Sequence, residues 1–260
     1  MERESSVPLS LWQIASRLGA ATYARPGHLF PFDRSYVGLS RARRQDGPRR
    51  RVLREHGHGP KLYYHPLSTF SRRVRIVFAE KQIPHELSLV DMAARRHREQ
   101  PYLSVNPYGR VPTLEEDGFV LFESTAILNY LEATRPTPPL VPADARGRAL
   151  VDMHMKLCDL QLTRYAGTII FPKRFLPKDK WNAVAIAEAK AEIEKHFAIL
   201  SQHLAARTYL AAEQFSLADV CYMPFLEFLP LMEITPPTAV AAWSERLLAR
   251  PSAIATRPEK

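Results

Sequence analysis

Cysteine is scarce: a chain of 260 residues carries only Cys158 and Cys221, far apart in the sequence. No Cys-x-x-Cys pair and no metal-ligand spacing occurs, so a disulfide scaffold and a dithiol redox pair are excluded, and no metal is expected. A reducing, cytosolic compartment fits this cysteine usage. Long hydrophobic runs are missing too. Nothing approaches the ~18 consecutive apolar residues of a membrane span, so no membrane is expected as a partner. No repeat at a period of ~20–50 residues suggests a solenoid. What remains is ordinary globular composition, 46% hydrophobic and 24% charged. That length and composition can bury one large core or two modest ones.

The net charge of +9 is unevenly spread. Residues 1–59 hold eleven arginines against five acidic residues, whereas residues 60–260 hold 25 basic and 22 acidic ones. The excess sits mainly in a front segment, "RARRQDGPRRRVLREHGHG", that has turn residues and arginine blocks but little apolar period. A basic extension, disordered or outside the functional protein, is expected there, and no nucleic acid is expected on the rest. Glu2 and Glu4 argue against a transit peptide. His56 and His58 read as linker.

From Lys61 the pattern becomes regular. "KLYYH" reads as a strand, and Phe70, Val74, Val77 and Phe78 repeat at helical spacing. "HELSLV" alternates like a half-buried strand. "TLEEDGFVLF" gives two strands around Asp117-Gly118, a strong hairpin signal, and "STAILNYLEA" returns to helix. The order β-α-β, a loop with a helical turn, then β-β-α describes an α/β layer domain. "TRPTPPLVP", residues 134–142, cannot continue a helix. Beyond it the chain is helical, with Ile193, Phe197, Leu200 and Leu204 on one stripe. In "FSLADV", Ser216 and Asp219 form a capping box, read as structural. The expected limits are a 60–133 domain, a 134–143 linker, a 144–250 helical domain and a 251–260 tail.

Four segments, "HPLSTFSRRV", "PYLSVNPYGRVPTLEEDG", "LFESTAI" and "FSLADV", carry a resemblance in register over residues 61–250. The chain resembles a cytosolic glutathione S-transferase, most like the serine-type phi branch. The zeta-type enzymes would place a cysteine near Phe70, and the omega and beta types use a catalytic cysteine. The resemblance implies an α/β thioredoxin-like N-terminal domain followed by an all-α C-terminal helical domain. It further implies a glutathione transferase with glutathione as co-substrate and no other cofactor. Such an enzyme conjugates glutathione to an apolar electrophile, with peroxidase activity through the same thiolate as a further expectation. A non-catalytic binding or regulatory module on the same fold is the alternative.

The site residues follow from the same resemblance. Val111-Pro112 matches a cis X-Pro bond that presents the Val111 backbone to the tripeptide as an added strand, although proline there would also serve a plain edge strand. Ser124 and the first free N–H groups of its helix match the pocket for the γ-glutamyl carboxylate, with Glu123 accepting the ammonium group. Plain helix capping explains that pair locally just as well. Ser68 matches the hydroxyl that holds the glutathione thiolate, with Thr69 and Ser71 as rival donors. His97 and Arg98 match the partners of the glycyl carboxylate, and Arg110 contributes by backbone or guanidinium. Arg72, Arg73 and Arg75 crowd the first turns of a helix, where cations oppose the dipole. An anionic ligand or salt bridges to the helical domain would account for them. Tyr108 matches an aromatic ring inserted into a second subunit, implying a homodimer. Ala212 stands where the family places glycine.

Overall fold

A computed structural model describes residues 59–211 and 213–258. The basic extension up to residue 58, with His56 and His58, lies outside the described residues, as do Ala212 and the last two positions.

The first half is built as β1 (Lys61–Tyr64), α1 (Thr69–Glu80), β2 (Glu86–Leu89), a 3-10 turn at Arg96–Arg98 and α2 (Tyr102–Val105), followed by β3 (Thr113–Glu116), β4 (Phe119–Phe122) and α3 (Ser124–Thr134). The sheet runs β2-β1-β3-β4. β1 and β2 are parallel, which requires the crossover helix α1, and the other two pairs are antiparallel. Asp117 and Gly118 both take positive φ, 50° and 80°, the backbone hand that closes a two-residue hairpin.

Two expectations needed adjusting. Val74, Val77 and Phe78 are buried as their spacing demands, yet Phe70, in the first turn, is 37% exposed and meets Phe225 rather than the sheet. β2 alternates in sequence, but its leucines, Leu87 and Leu89, are exposed. β2 is the edge strand, and it is Val90, just past its end, that packs with Tyr63, Tyr102 and Val111.

The second half is helical: α4 (Ala145–Leu157) runs through a π-helical turn at Cys158–Thr163 into α5 (Arg164–Phe175). Then come α6 (Ala183–Leu204), α7 (Leu217–Leu226), α8 (Leu229–Met232), α9 (Thr238–Leu248) and α10 (Pro251–Ala255). Ile193, Phe197, Leu200 and Leu204 are all buried along α6. Fully burying a side chain such as Phe197 contributes roughly 1.5–3 kcal/mol. The capping box opens α7, the N–H and O–H of Ser216 both donating to Asp219, at 3.0 and 2.9 Å. Asp219 also accepts from the Leu210 N–H and the Trp243 indole, so the box ties α7 to α9. One continuous core joins the two halves, from Leu62 and Leu114 in the sheet to Phe197 and Trp243 in the helices.

The arginines of α1 resolve as seam residues. Arg73 is fully buried; it donates to Asp159 Oδ1 (2.7 Å), the Cys221 carbonyl (3.0 Å), Cys158 Sγ (3.2 Å), Thr163 Oγ1 (3.2 Å) and Ser124 Oγ (3.3 Å). Arg72 pairs with Glu227 and donates to the Ala253 carbonyl at 3.0 Å. Arg75 reaches the Thr256 carbonyl at 3.5 Å. The segment set apart as a tail in the sequence therefore folds as α10 and helps to hold Arg72. Lys81, also buried, pairs with Glu132 (2.7 Å) and donates to the Arg135 and Pro138 carbonyls (2.7 and 2.6 Å), pinning the proline linker to the end of α1.

Candidate functional site

Strand register gathers the expected residues at one end of the sheet. Tyr63 is opposite Thr113, Thr113 is opposite Phe122, and Tyr64 is beside Leu89. β1, β2 and β4 therefore end where β3 begins. The segments carrying Ser68, the 3-10 turn, Val111-Pro112 and Glu123-Ser124 all leave or enter the sheet there. Among the described residues no helix is long and apolar enough to cross a membrane, and no group of three His, Cys, Asp or Glu side chains could hold a metal ion.

Ser68 caps α1. Its Oγ accepts from the Ser71 N–H at 3.1 Å, and its carbonyl accepts from the Arg72 N–H at 3.0 Å. A hydroxyl that only accepts keeps its own proton to donate, here at the positive tip of a helix. Ser71 differs: its side chain is wholly buried and accepts from the His65 N–H at 3.4 Å, so it serves the turn. Both cysteines are buried, and burial pushes the Cys221 thiol up to about 11 and the Cys158 thiol upward as well. Neither is a nucleophile at neutral pH.

The peptide bond between Val111 and Pro112 is cis. No hydrogen bond joins the Val111 N–H or C=O to any described residue. The loop before it is braced by two residues that sequence reasoning passed over. Tyr102 donates its phenol to the Arg110 carbonyl at 2.5 Å, and the Asn106 side-chain amide donates to that carbonyl at 2.9 Å and to Thr113 Oγ1 at 3.0 Å. The turn residues of "NPYG" were the available signal for Asn106, whose Oδ1 accepts from the Tyr108 N–H at 3.0 Å. With its carbonyl occupied, Arg110 presents its exposed side chain and its backbone N–H.

Ser124 is the first residue of α3, with its hydroxyl accepting from Arg73 at 3.3 Å. The N–H groups of Ser124, Thr125 and Ala126 precede the first intrahelical bond, which runs from Ile127 to the Glu123 carbonyl. Glu123 itself sits at φ 70° and ψ 116°, a costly conformation for a residue with a Cβ. Such strain is held where the surroundings over-determine it, and it is frequent at ligand sites.

His97 and Arg98 lie on the 3-10 turn. Burial, then Arg98 and Arg95, lower the pKa of His97, so at neutral pH it is an uncharged imidazole rather than a cation. Its Nδ1 is buried and has no hydrogen-bond partner among the described residues. Arg98 is exposed and donates only to the Tyr108 carbonyl, at 3.4 Å. Gly109 makes this turn fit: it has φ 57°, and a Cβ there would lie 2.5 Å from the His97 carbonyl.

Across from the sheet end, Phe70 meets Phe225 of α7 edge-on with ring centroids 6.3 Å apart, and exposed Phe171 and Phe175 close the end of α5.

The comparisons with known proteins agree with this geometry. The model of the glutathione S-transferase N-terminal domain matches residues 67–134, and that of the C-terminal domain matches residues 132–251. Glutathione S-transferase hmp2 of Hypomyces subiculosus is 30% identical over 63% of this chain and 79% of its own length. Glutathione S-transferase F7 of Arabidopsis thaliana is 27% identical over 75% of this chain and 97% of its own. Among solved structures, the theta class glutathione S-transferase of Xanthomonas axonopodis pv. citri, with glutathione bound, superimposes with a TM-score of 0.73 at 25% identity, covering 78% of this chain and 99% of that one. With both domains in order, a serine at the helix tip and plant F-type enzymes among its relatives, the chain belongs to the glutathione S-transferase family and falls with its phi branch.

Proposed function

We propose that this chain is a glutathione transferase that holds glutathione at the sheet end, ionises its thiol beside Ser68 and adds the sulfur to an electrophilic carbon. The observation that carries this reading is the Ser68 hydroxyl. It accepts from Ser71 at 3.1 Å, has its proton unspent, and stands at the N-terminal tip of α1. A free thiol of the cysteine type titrates near ~8.5, so little of it is nucleophilic at neutral pH. Lowering that value by ~2 units takes ~2.7 kcal/mol, which one hydrogen bond to a charged acceptor plus a helix dipole can supply.

The rest of the tripeptide follows the unspent groups. The Val111 N–H and C=O pair with its backbone as an added strand beside Pro112. Ser124 and the free N–H groups of α3 take the γ-glutamyl carboxylate, and Glu123 takes the ammonium group. His97 contributes a neutral hydrogen bond to the glycyl carboxylate, and Arg98 and Arg110 contribute charge. No further cofactor is needed, because the thiolate is the reactive group. The second substrate lies between Phe70 and the end of α5. Tyr108, 63% exposed with its ring 5.5 Å from Phe122, is placed to enter a second copy in a twofold dimer. The reduced, buried thiols suit a cytoplasmic protein.

Two measurements test these statements. Retention on immobilised glutathione and its loss in Ser124→Ala check the binding site. Titration of the bound thiolate by its ultraviolet absorbance checks Ser68, and an unchanged thiol pKa in Ser68→Ala would exclude that serine as the donor.

A further inference from the structure

Among the described residues, cations that are even partly buried have partners, with one exception. Arg72 is paired with Glu227, Arg73 with Asp159, Lys81 with Glu132, Arg135 with Glu116, Lys173 with Glu233 and Arg250 with Glu80. Arg75, without a carboxylate, still donates to the Thr256 carbonyl. Arg174, in the last turn of α5, is partly buried and makes neither an ion pair nor a hydrogen bond to any described residue. Its guanidinium rests on two rings, 5.2 Å from the centroid of Phe228 and 5.4 Å from that of Phe175. A guanidinium has five N–H donors, and stacking on aromatic faces satisfies none of them. Removing such a group partly from water without a counter-ion is unfavourable, which makes its position informative.

That position adjoins the end of α7. Phe228 follows α7 and donates its N–H to the Phe225 carbonyl, and Phe225 is the ring that meets Phe70, two residues after Ser68. The guanidinium also reaches the β1 exit electrostatically. His65, whose carbonyl accepts from the Ser68 N–H at 3.0 Å, has its pKa lowered by burial, with Asp91 opposing and His97 and Arg174 adding to the effect. Planar guanidinium between aromatic walls, with its fork unspent, matches a carboxylate carried on a flat apolar body.

We propose that Arg174 selects an anionic second substrate, an aromatic or otherwise apolar electrophile bearing a carboxylate, bound against Phe175 and Phe228. The proposal rests on the glutathione transferase reading for the identity of the other ligand, but the recognition itself is independent of catalysis. The carboxylate could instead be the glycyl one of glutathione, and the test separates the two sources.

The experiment is calorimetric titration with 2-naphthoate and with its uncharged methyl ester, using the full chain with and without saturating glutathione, in wild type, Arg174→Gln and Arg174→Lys. Glutathione affinity is titrated separately in each variant. The expected result is that Arg174→Gln weakens 2-naphthoate about tenfold, Arg174→Lys weakens it less, and the ester and glutathione change by less than twofold. That tenfold is the size of one charge-assisted hydrogen bond. Unchanged naphthoate affinity in Arg174→Gln overturns the proposal. So does a fall in glutathione affinity with naphthoate unaffected, because it assigns Arg174 to the tripeptide. Failure of wild type to bind glutathione would sink the transferase reading while leaving the naphthoate comparison readable. Circular dichroism and unfolding of both variants confirm that the exposed end of α5 is intact.

Discussion

One helix, α1, supplies both the proposed reactive tip and the bolt that fastens the two halves, and the two regions treat polar groups in opposite ways. At the tip, Ser68 accepts one backbone hydrogen bond and keeps its proton, and nearby Val111 and the start of α3 likewise carry unspent backbone groups. One turn further on, Arg73 has acceptors on every nitrogen, and Arg72 is held by Glu227 and α10. Buried polar groups that are fully paired hold a fold together, whereas groups left short of partners at an accessible edge are free to meet a ligand. Ser124 belongs to both regions. Its hydroxyl accepts from Arg73 and keeps its own proton to donate, so the bolt also orients the proposed anion pocket.

The bolt gives the largest expected effect. Arg73→Met removes the buried partner of the Asp159 ion pair and leaves Thr163 and Ser124 without that donor. A loss of about 3–5 kcal/mol in urea unfolding is expected, with weaker glutathione binding in whatever folds. If stability fell by less than about 1 kcal/mol, the seam would not depend on Arg73, and the contrast between the two regions would fail.

The histidines extend the comparison into the helical half. His154 and His196 are buried, and burial holds both near about 4, with His203, His196 and Arg207 adding to the effect on His154. An unfolded histidine titrates near ~6.5, so between that value and about 4 the unfolded chain binds protons that the folded chain refuses. Stability is therefore full above pH ~6.5 and falls as the solution is acidified, by on the order of 2–3 kcal/mol per histidine. Urea unfolding at several pH values should show this slope, and His154→Leu should flatten it. A slope equal in wild type and variant would assign the acid sensitivity elsewhere.

At the tip the effect is chemical rather than structural. Ser68→Ala should raise the bound thiol by ~1 unit, the hydroxyl's share beside the helix dipole, so kcat/KM falls roughly fivefold near pH 6.5 and hardly changes near pH 9. Loss of the N-cap costs only about 1 kcal/mol of stability. Ser71→Ala should do the reverse, lowering stability because the His65 N–H loses its acceptor, with the thiol unmoved. A parallel drop at both pH values in Ser68→Ala would mean that the serine positions substrate without tuning the sulfur.

The sequence announced the frame better than the electrostatics. Hairpin, crossover helix, proline linker and capping box each have a local cause: positive φ at Asp117-Gly118, periodic Val74-Val77-Phe78, and the Ser216–Asp219 pair. The expected site residues share one sheet end because strand order brings them there, which the resemblance implied and no local pattern could. What stayed hidden depends on long-range partners. Asp159, 86 residues from Arg73, decides that this arginine is a seam residue, and nothing around "FSRRV" reveals it. Tyr102 and Asn106 brace the Val111 loop through a carbonyl and a threonine that only the folded turn aligns. Leu87 and Leu89 alternate as a buried face would, yet an edge strand leaves them exposed.

The smallest expected effect separates charge from hydrogen bonding at the glycyl end of the site. His97, kept neutral by burial and by Arg98 and Arg95, offers a hydrogen bond whose strength hardly depends on salt. Arg98 is exposed, with one long bond to the Tyr108 carbonyl, so any attraction it exerts on a carboxylate is screened. Arg98→Gln should therefore raise the KM for glutathione only about threefold at low salt and leave kcat unchanged. The difference from wild type should vanish by about 0.5 M salt, where the screening length falls to a few ångströms. A larger rise that persists in high salt would show that Arg98 swings into a desolvated, bidentate contact when glutathione binds. The exposed rim of the site would then obey the same saturation rule as the buried seam.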